Sequence, residues 1–532
     1  MIAGPPDALN RFSARAATAA SPDGAGQASP RRYHGPMPTP LRVAFVAAEC
    51  EPWAKTGGLG DVVDALARAL GAVPGAIDGP VDVFLPRYRS VPVPAGSGAG
   101  RPLRVPDPYA VGGASDVTIV DIEANGYRLR LVDHAAAFDR DALYGPPGGD
   151  YADNAWRFGL LCRAALESLR LEADRPVDVI HLHDWHACPA SLFRDRWYAD
   201  DPVIGRAAMA LTIHNLAYHG WTPLEALSHL GLAPGDGVVA EDAVGIDLLW
   251  SGIERVEVAN TVSPGYARES RTPELGFGLD GALRAKGDRY VGILNGLDTT
   301  VWNPATDADL AATYSAADLR GKAACRVDLL DRIGFDPTDE GAVLGMIGRL
   351  DPQKGFDLLA GAAPRLLAVG ARLVVQGAGD PALAASFRAL AADRPDRVAL
   401  VERFDRAMAR RIYAGADFFL MPSRFEPCGQ GQMISLRYGT PPIVRRTGGL
   451  ADTVIDERRR PGDGTGFAFD VAAPEALAAA CEDAIEMRSA GGPAWAGLVA
   501  RGMAVDFDWR TGSAPRYAEM YERAVAVRRR GR

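Results

Sequence analysis

Residues 342–355 read AVLGMIGRLDPQKG, an apolar run followed by a loop that is rich in glycine and charge. The same succession of apolar run, glycine-rich loop and helix-like segment begins at Leu41 and recurs along the chain. Continuous apolar strands that alternate with helices are typical of a parallel sheet covered on both faces. The sequence therefore predicts an α/β protein built on doubly wound sheets.

Two series of strands are predicted on this pattern. The first comprises Leu41–Ala48, Val81–Leu85, Val177–His183, Met209–His214 and Val256–Val262, with helices at Gly60–Leu70 and Asn154–Leu171 and a hairpin of Val117–Glu123 with Tyr127–Asp133. The second comprises Ala342–Ile347, Arg372–Gln376, Val398–Val401, Phe418–Met421, Pro442–Val444 and Gly466–Phe469, and a closing helix is expected at Ala514–Arg530.

The length of 532 residues exceeds what one hydrophobic core usually supports, so two domains are expected, joined between residues 285 and 340. Residues 1–40 are rich in Ala, Pro, Gly and Ser and lack apolar periodicity, which predicts a disordered extension. An organelle transit peptide is the alternative reading of that segment.

Composition excludes several classes of protein. The formal net charge of -9 argues against general nucleic-acid binding, and no apolar run is long enough to cross a bilayer. The six cysteines are scattered without a Cys-x-x-Cys pair, which predicts reduced thiols in the cytoplasm rather than disulfides or a zinc site.

Two post-strand loops have the composition of anion sites. The loop KTGGLGDV at residues 55–62 offers Lys55 and close backbone amides at a helix start, although a plain strand-to-helix turn is an equal interpretation. The loop at residues 348–355 offers Arg349 and Lys354 to a diphosphate, against the alternative of two solvated cations. Only four of the 58 basic residues are lysines, and two of these four lie in the two loops. That placement favours a need for an ammonium group at both positions.

Two further groups follow predicted strands. In SRFEPCGQGQ, residues 423–432, Glu426 is suited to accept hydrogen bonds from sugar hydroxyls, and the amides after it to hold a phosphate. A helix-start carboxylate without a ligand is the alternative there. Histidines at positions 181, 183 and 186 flank Asp184, and His214 follows the next predicted strand. A metal site is rejected for them because His186 lies past the strand end, in a different geometry from His181 and His183.

Taken together, these motifs resemble the bacterial glycogen synthases and plant starch synthases. The resemblance rests on Lys55–Gly58, His214–Tyr218, Asn295-Gly296, Arg349 with Lys354, Glu426–Gly429 and Thr447–Thr453, in order from about residue 41 to 525. It implies the glycosyltransferase-B (GT-B) fold, with two Rossmann-like domains facing across a cleft and a C-terminal helix returning to the first. The implied bounds are residues 41–290, 291–508 and 509–532.

The resemblance also implies residue roles. Lys55, Arg349 and Lys354 would bind the donor diphosphate, Glu426 the hydroxyls of the transferred glucose, and His214 and Asn295 that same glucose, with Asp184 near the reacting centre. Amides of Gly57, Gly58, Cys428, Gly429, Gln430 and Gly431 would complete the phosphate site. Relatives often carry Leu-Thr or Leu-Ile where this chain has Gln430 and Gly431, so a threonine hydroxyl that could contact phosphate is absent.

The implied activity is transfer of glucose from ADP-glucose to the non-reducing end of an α-1,4-glucan primer, glycogen or a maltooligosaccharide, with retention and without metal or cofactor. This would place the enzyme in cytoplasmic glycogen biosynthesis. One alternative is another retaining GT-B enzyme that uses UDP-glucose or a different acceptor. Many of those carry a second Glu eight positions after the first, where this chain has Ile434. The other alternative is a non-catalytic glucan-binding protein.

Overall fold

The computed structural model describes residues 40–93, 99–146, 149–236, 238–241 and 245–531. The predicted extension at residues 1–40 lies outside the described residues except for its last position. The chain forms two compact units. The first runs to Ala259 and adds Gly281–Arg289 and the chain from Ala514 onward, and the second comprises Asn260–Asp280 and Tyr290–Ser513.

The segment 260–280 belongs to the second unit, whereas the sequence placed it in the first domain. Its contacts explain the grouping. Ser263 Oγ donates to the carbonyl of Pro427 at 2.6 Å, and the amide of Gly448 donates to Glu269 Oε1 at 2.8 Å. These bonds fasten the segment to loops that follow strands of the second unit.

The first unit is built on a sheet that includes the strands β1 (Val43–Val46), β2 (Val81–Pro86), β3 (Arg101–Pro106), β4 (Ala114–Glu123), β5 (Tyr127–Asp133), β6 (Val179–His183) and β7 (Ala208–Ile213). Neighbours in the order β5-β2-β1-β6-β7 are parallel, and β4 and β3 extend the β5 side as antiparallel strands. A small separate sheet contains β8 (Trp221–Pro223), β9 (Ala240–Glu241) and β10 (Gly245–Asp247).

The first unit's helices are Gly58–Leu70, Ala135–Phe138, Asn154–Arg170, Asp184–Ala187, Pro189–Trp197, Ala226–Leu230, Leu248–Arg255 and the C-terminal Ala514–Arg530. The C-terminal helix packs against β7 and against Gly58–Leu70. Within this packing, Tyr521 OH and His181 Nδ1 are 2.9 Å apart. The helix is therefore an integral part of the first unit.

The chain passes between the units through β11 (Val258–Thr261) and the short helix Asp280–Ala285, and β12 (Tyr290–Gly292) opens the return to the second unit. The second sheet contains β13 (Val343–Ile347), β14 (Arg372–Gln376), β15 (Val398–Val401), β16 (Phe418–Met421), β17 (Pro442–Arg445) and β18 (Phe467–Phe469). Its order, β15-β14-β13-β16-β17-β18, is parallel throughout. This is the Rossmann order, with the chain reversing direction across the sheet between β13 and β16.

The second unit's helices are Pro264–Glu269, Arg320–Arg332, Phe356–Ala368, Pro381–Asp393, Arg406–Gly415, Gly431–Arg437, Gly448–Thr453, Pro474–Ala490 and Gly492–Ala504. Apolar side chains of the central strands, such as Leu344, Val375 and Phe418, are fully buried against helices such as Phe356–Ala368 and Pro474–Ala490. Helices cover the sheet because its strands are apolar on both faces.

The predicted strands of both series are confirmed to within a few residues, and Arg372–Gln376, Val398–Val401 and Phe418–Met421 match at both ends. The sequence missed β3, Arg101–Pro106, which contains two prolines. Proline is tolerated on edge strands because an edge amide needs no partner in the sheet. None of the helices in the described ranges has the length and apolar character of a membrane span.

Candidate functional site

In the second unit, the candidate residues lie where the strand order reverses. The loop after β13 carries Arg349 and Lys354, and the loop after the neighbouring β16 carries Glu426. Open α/β sheets bind ligands at the carboxyl ends of their strands, at this kind of switch point. The topology therefore brings together two of the three loops that the sequence singled out.

Lys354 and Glu426 form a direct ion pair. Lys354 Nζ donates to both carboxylate oxygens of Glu426, at 2.9 and 2.7 Å, and Ser423 Oγ donates to Oε2 at 3.0 Å. The Glu426 side chain is buried, whereas a quarter of the Lys354 side chain is exposed. The Lys354 side chain is thus partly accessible from solvent beside a buried carboxylate.

Local backbone geometry holds the loop after β13 against the loop after β16. Asp351 Oδ1 accepts the amide of Gln353 at 2.8 Å and caps the short turn that carries Lys354. Gly355 has φ +76°, and a Cβ there would lie 2.3 Å from the carbonyl oxygen of Pro422. Glycine is therefore required at 355 for the two loops to approach this closely. Arg349 is half exposed and 3.6 Å from Asp351, so its guanidinium is free to turn toward an anion.

The loop after Glu426 is closely packed. Cys428 is buried, which raises the pKa of its thiol to about 12 and keeps it neutral. Gly429 has φ +75°, and Gln432 Nε2 donates to the carbonyls of Cys428 and Gly429 at 3.1 and 3.2 Å. Gln430 then occupies the N-cap position of the helix Gly431–Arg437, without a capping side-chain hydrogen bond.

Gly431 has a packing reason for departing from relatives that carry Thr or Ile at this position. A Cβ at 431 would come within 2.8 Å of the Phe419 ring. The large ring of Phe419 in β16 therefore excludes a side chain here unless it moves. The loop keeps its backbone amides, which are the groups that the sequence assigned to phosphate.

Asn295 lies in the same unit, beside Cys428. Its backbone hydrogen-bonds the Cys428 side chain, and its own side chain is buried. The side-chain oxygen of Asn295 has no hydrogen-bond partner in the described structure. A buried acceptor without a partner is costly, and a ligand hydroxyl would satisfy it.

The first unit repeats this arrangement. Its strand order reverses between β1 and β6, whose following loops carry Lys55–Gly58 and Asp184, and β7 ends next to His214. All the sequence-predicted residues of the first unit therefore lie at the carboxyl ends of three adjacent parallel strands.

Asp184 is the most strained residue of this group. It is buried, has φ +57°, and its Oδ1 accepts the backbone amide of His214 at 2.7 Å. Burial raises the pKa of its carboxyl from 3.8 to about 7, and the negative charge of Glu49 adds to the rise. Strained, buried carboxyls that titrate near neutrality cluster at functional sites.

The histidines around Asp184 are neutral. Burial lowers the pKa of His214 to about 3 and lowers the pKa values of His181 and His183 as well. His183 Nδ1 and His214 Nε2 are 3.1 Å apart, and the rings of His181 and His183 lie 4.1 Å apart on one side of β6. A neutral His214 can exchange hydrogen bonds with a sugar but carries no charge.

Lys55, Gly57 and Gly58 each have different surroundings. Lys55 Nζ donates to Asp61 Oδ1 at 2.6 Å, and about a third of the side chain is exposed. Gly58 begins a helix and faces open space. The amide of Gly57, which the sequence assigned to phosphate, donates instead to Glu49 Oε2 at 3.0 Å. In this conformation the Gly57 amide already donates its hydrogen bond to the protein and does not point to a phosphate site.

Sequence reasoning missed Glu49 and Tyr144. Tyr144 OH donates to Glu49 Oε1 at 2.6 Å, and the Tyr144 ring packs 4.9 Å from the ring of His186. Glu49 had a detectable signal, a carboxylate just after the first strand and before an anion-binding loop. Tyr144 had none, because its position depends on how a long connection folds.

Replacing Asp184 with Asn is expected to stabilise the protein at pH 8 and to lower turnover. The raised pKa means that the folded state binds more protons than the unfolded state between about pH 4 and 7, so wild-type stability falls as pH rises through this window. Asn does not titrate, yet it still accepts the amide of His214. The gain should be on the order of a few kcal/mol at pH 8 and should shrink toward pH 4. Thermal midpoints of both proteins at the two pH values measure it, and a pH-independent gap would contradict it.

Comparison with known proteins shows which families this chain resembles. Residues 42–285 match the family model of the starch synthase catalytic domain, and residues 341–487 match the model of glycosyl transferases group 1. A glycogen synthase of Geotalea daltonii is 39% identical over 492 residues, covering 92% of this chain and 100% of the relative. A glycogen synthase of Anaeromyxobacter dehalogenans strain 2CP-1 is 43% identical over 494 residues, covering 90% and 98%.

Solved structures of similar proteins point to the same family. The catalytic domain of starch synthase IV from Arabidopsis thaliana, bound to ADP and acarbose, superposes with a TM-score of 0.82 at 33% identity, covering 92% of this chain and 100% of that one. A sucrose-phosphate synthase from Thermosynechococcus elongatus shares the fold alone, with a TM-score of 0.54 at 18% identity and the same coverage. The chain therefore belongs to the glycogen and starch synthase family and is a GT-B glycosyltransferase of glycogen or starch synthesis.

Proposed function

We propose that this enzyme transfers glucose from ADP-glucose to the non-reducing end of an α-1,4-glucan, with retention of configuration, in cytoplasmic glycogen synthesis. The observation that carries the proposal is the Lys354–Glu426 pair at the switch point of the second unit. It offers an ammonium to a phosphate and a carboxylate to sugar hydroxyls, side by side.

The proposed chemistry uses the pair as follows. When the glucosyl bond to the nucleoside diphosphate breaks, negative charge grows on the β-phosphate. Lys354, which is a quarter exposed, and Arg349, which is half exposed, supply positive charge to it. Fixed groups directed at developing charge stabilise a transition state because they need no reorganisation as the reaction proceeds.

The glucosyl group is proposed to be held from the same unit. When Lys354 turns toward the phosphate, the carboxylate oxygens of Glu426 become available to accept from sugar hydroxyls. The Asn295 side-chain oxygen, which has no partner in the described structure, is a further acceptor for a hydroxyl. In the first unit, His214 would bind the sugar as a neutral ring and Asp184 would stabilise positive charge on it. Retention is proposed to follow from attack on the face that the diphosphate leaves, with the leaving phosphate taking the acceptor proton.

The donor base is proposed to be adenine. The starch synthase IV neighbour is bound to ADP and acarbose, which supports an adenine donor and a glucan acceptor. The base would lie near residues 376–405, where Phe404, after β15, is 84% exposed. A ring of this kind stacks on either base, so discrimination requires hydrogen bonds to the base edge.

The ratio of kcat/KM for ADP-glucose to that for UDP-glucose is expected to be on the order of ten or more. A site that hydrogen-bonds one base leaves groups unpaired with the other, at roughly 1–3 kcal/mol for each lost partner. Both donors are measured with the same glycogen primer, since they share the glucose and the diphosphate. Equal efficiencies, or a preference for UDP-glucose, would overturn the donor assignment, and absence of transfer from either would support the non-catalytic alternative.

A further inference from the structure

Glu49 lies three residues beyond β1 and is 3% exposed. Four donors converge on its two oxygens. Oε2 accepts the amides of Thr56 and Gly57 at 2.7 and 3.0 Å, and Oε1 accepts Thr56 Oγ at 2.7 Å and Tyr144 OH at 2.6 Å. The acceptor capacity of this buried carboxylate is therefore used entirely by one loop and one tyrosine.

These bonds determine the shape of the loop that carries Lys55. The loop is also held by the Lys55–Asp61 ion pair, but no side-chain packing restrains its glycines, since a Cβ placed on Gly57 or Gly58 would meet nothing within 4 Å. Tyr144, from a different connection, ties the same carboxylate to the ring of His186, two residues after Asp184. Glu49 thus links the loop after β1 to the loop after β6, across the switch point of the first unit.

We propose that Glu49 is a positioning residue that fixes the Lys55–Gly58 loop for the donor by occupying the Thr56 and Gly57 amides. The proposal rests on the proposed function and specifies it. Lys55 is the group of this loop that reaches phosphate, whereas the two amides stay bound to protein throughout the reaction.

The opposite arrangement would be a latch, in which the donor phosphate displaces Glu49 from the amides. Displacement would take two of the four donors from a buried carboxylate and would place it beside a second anion. Removing a partner from a buried charge is strongly destabilising, so the donor would have to offset this cost on every binding event. The two models predict opposite changes in donor affinity when Glu49 is removed. Loss of Glu49 weakens donor binding if it positions the loop and strengthens donor binding if it is a latch.

Glutamine at this position separates geometry from charge. Its side-chain oxygen can accept both backbone amides, which cannot change direction. Its NH2 group then faces the hydroxyls of Thr56 and Tyr144, which can rotate to accept. Glu49→Gln therefore keeps the loop restraint without the charge, while Glu49→Ala removes both.

The test combines amide hydrogen exchange with kinetics on the full-length enzyme. In Glu49→Ala, exchange at Thr56 and Gly57 is expected to accelerate at least about tenfold, since each amide loses its partner. The KM for ADP-glucose should rise and kcat/KM for it should fall at least about tenfold, with the KM for glycogen unchanged. Glu49→Gln should lie closer to wild type than Glu49→Ala in both measurements.

Glu269→Ala is the matched control, because Glu269 accepts the amide of Gly448 and the hydroxyl of Thr447 in the second unit. Exchange should accelerate at Gly448, whose amide loses its acceptor, and should keep the wild-type rate at residues 56–57. Tighter donor binding in Glu49→Ala, unchanged exchange at residues 56–57, or equal damage in the Gln and Ala variants would each overturn the proposal. The exchange measurement requires no donor, so it stands apart from any failure of the donor assignment.

Discussion

Replacing Lys354 with alanine is expected to lower turnover at least about a hundredfold while leaving the fold intact. Its ammonium is the charge closest to Glu426, and we place it against the phosphate on which charge develops. Loss of one such donor typically costs about 3 kcal/mol of transition-state stabilisation. The side chain is a quarter exposed and lies on a loop, so no core packing is lost and the variant should fold, but its thermal midpoint should fall because the buried Glu426 loses its cation. Turnover with ADP-glucose and glycogen, together with the thermal midpoint, measures both parts of the prediction.

The matched control is Arg365→Ala, which removes an exposed cation that is also paired with a glutamate, Glu482, in the same unit. Exposed pairs of this kind contribute about 0–1 kcal/mol to stability. The control should therefore keep wild-type turnover and a similar thermal midpoint. A folded Lys354→Ala enzyme with near-normal turnover would show that another group stabilises the leaving phosphate.

The sequence pattern accounted for only two of the four lysines, those in the two anion loops. The structure also gives a role to the other two, Lys322 and Lys286. Lys322 Nζ donates to the carbonyl of Ala414 at 2.8 Å and to Thr440 Oγ at 2.6 Å, at the end of the helix Arg406–Gly415. Lys286 likewise binds the carbonyl of Val256, just after the helix Leu248–Arg255. Burial lowers the pKa of both side chains to about 8. In each case one compact ammonium donates to two converging backbone carbonyls.

The order of elements could be predicted because it depends on local pattern. Apolar runs and glycine loops alternate with a regular period, and the resulting parallel strands bring their carboxyl ends to one edge. Arg349, Lys354 and Glu426 could therefore be chosen before the fold was seen. The pairing of Lys354 with Glu426 could not, because it requires β13 and β16 to be neighbours although 70 residues, 348–417, lie between the end of β13 and the start of β16.

Other features of the site could not be predicted, because they depend on hydrogen bonds between side chains and backbone groups. Glu49 reads as one acid among many until the amides of Thr56 and Gly57 are seen to point at it. The φ of +57° at Asp184 is likewise not readable from the sequence, since few non-glycine residues adopt a positive φ and its amide-accepting carboxylate is fixed by a residue on another strand end. Gly431 reads as a missing hydroxyl in the sequence, whereas in the structure it makes room for Phe419.

Replacing Glu426 with alanine is expected to lower turnover at least about a hundredfold, by two routes. The variant loses an acceptor for the hydroxyls of the transferred glucose, and hydrogen bonds to a charged group contribute about 1.5–3 kcal/mol. It also frees Lys354, whose ammonium is oriented by both Glu426 oxygens at 2.9 and 2.7 Å. Stability should change little, because solvent reaches the exposed face of Lys354 and can replace the lost partner.

The two routes make the double variant informative. If Glu426 acts partly by orienting Lys354, then in the absence of Lys354 that part is already lost, and Glu426→Ala adds only the loss of the sugar contact. Residues in contact typically show coupling energies of about 0.5–3 kcal/mol. Turnover of Lys354→Ala/Glu426→Ala should therefore exceed the product of the two single effects by about threefold to a hundredfold. Strictly multiplicative effects would mean that the ion pair seen in the structure has no part in catalysis and that each residue binds the donor independently.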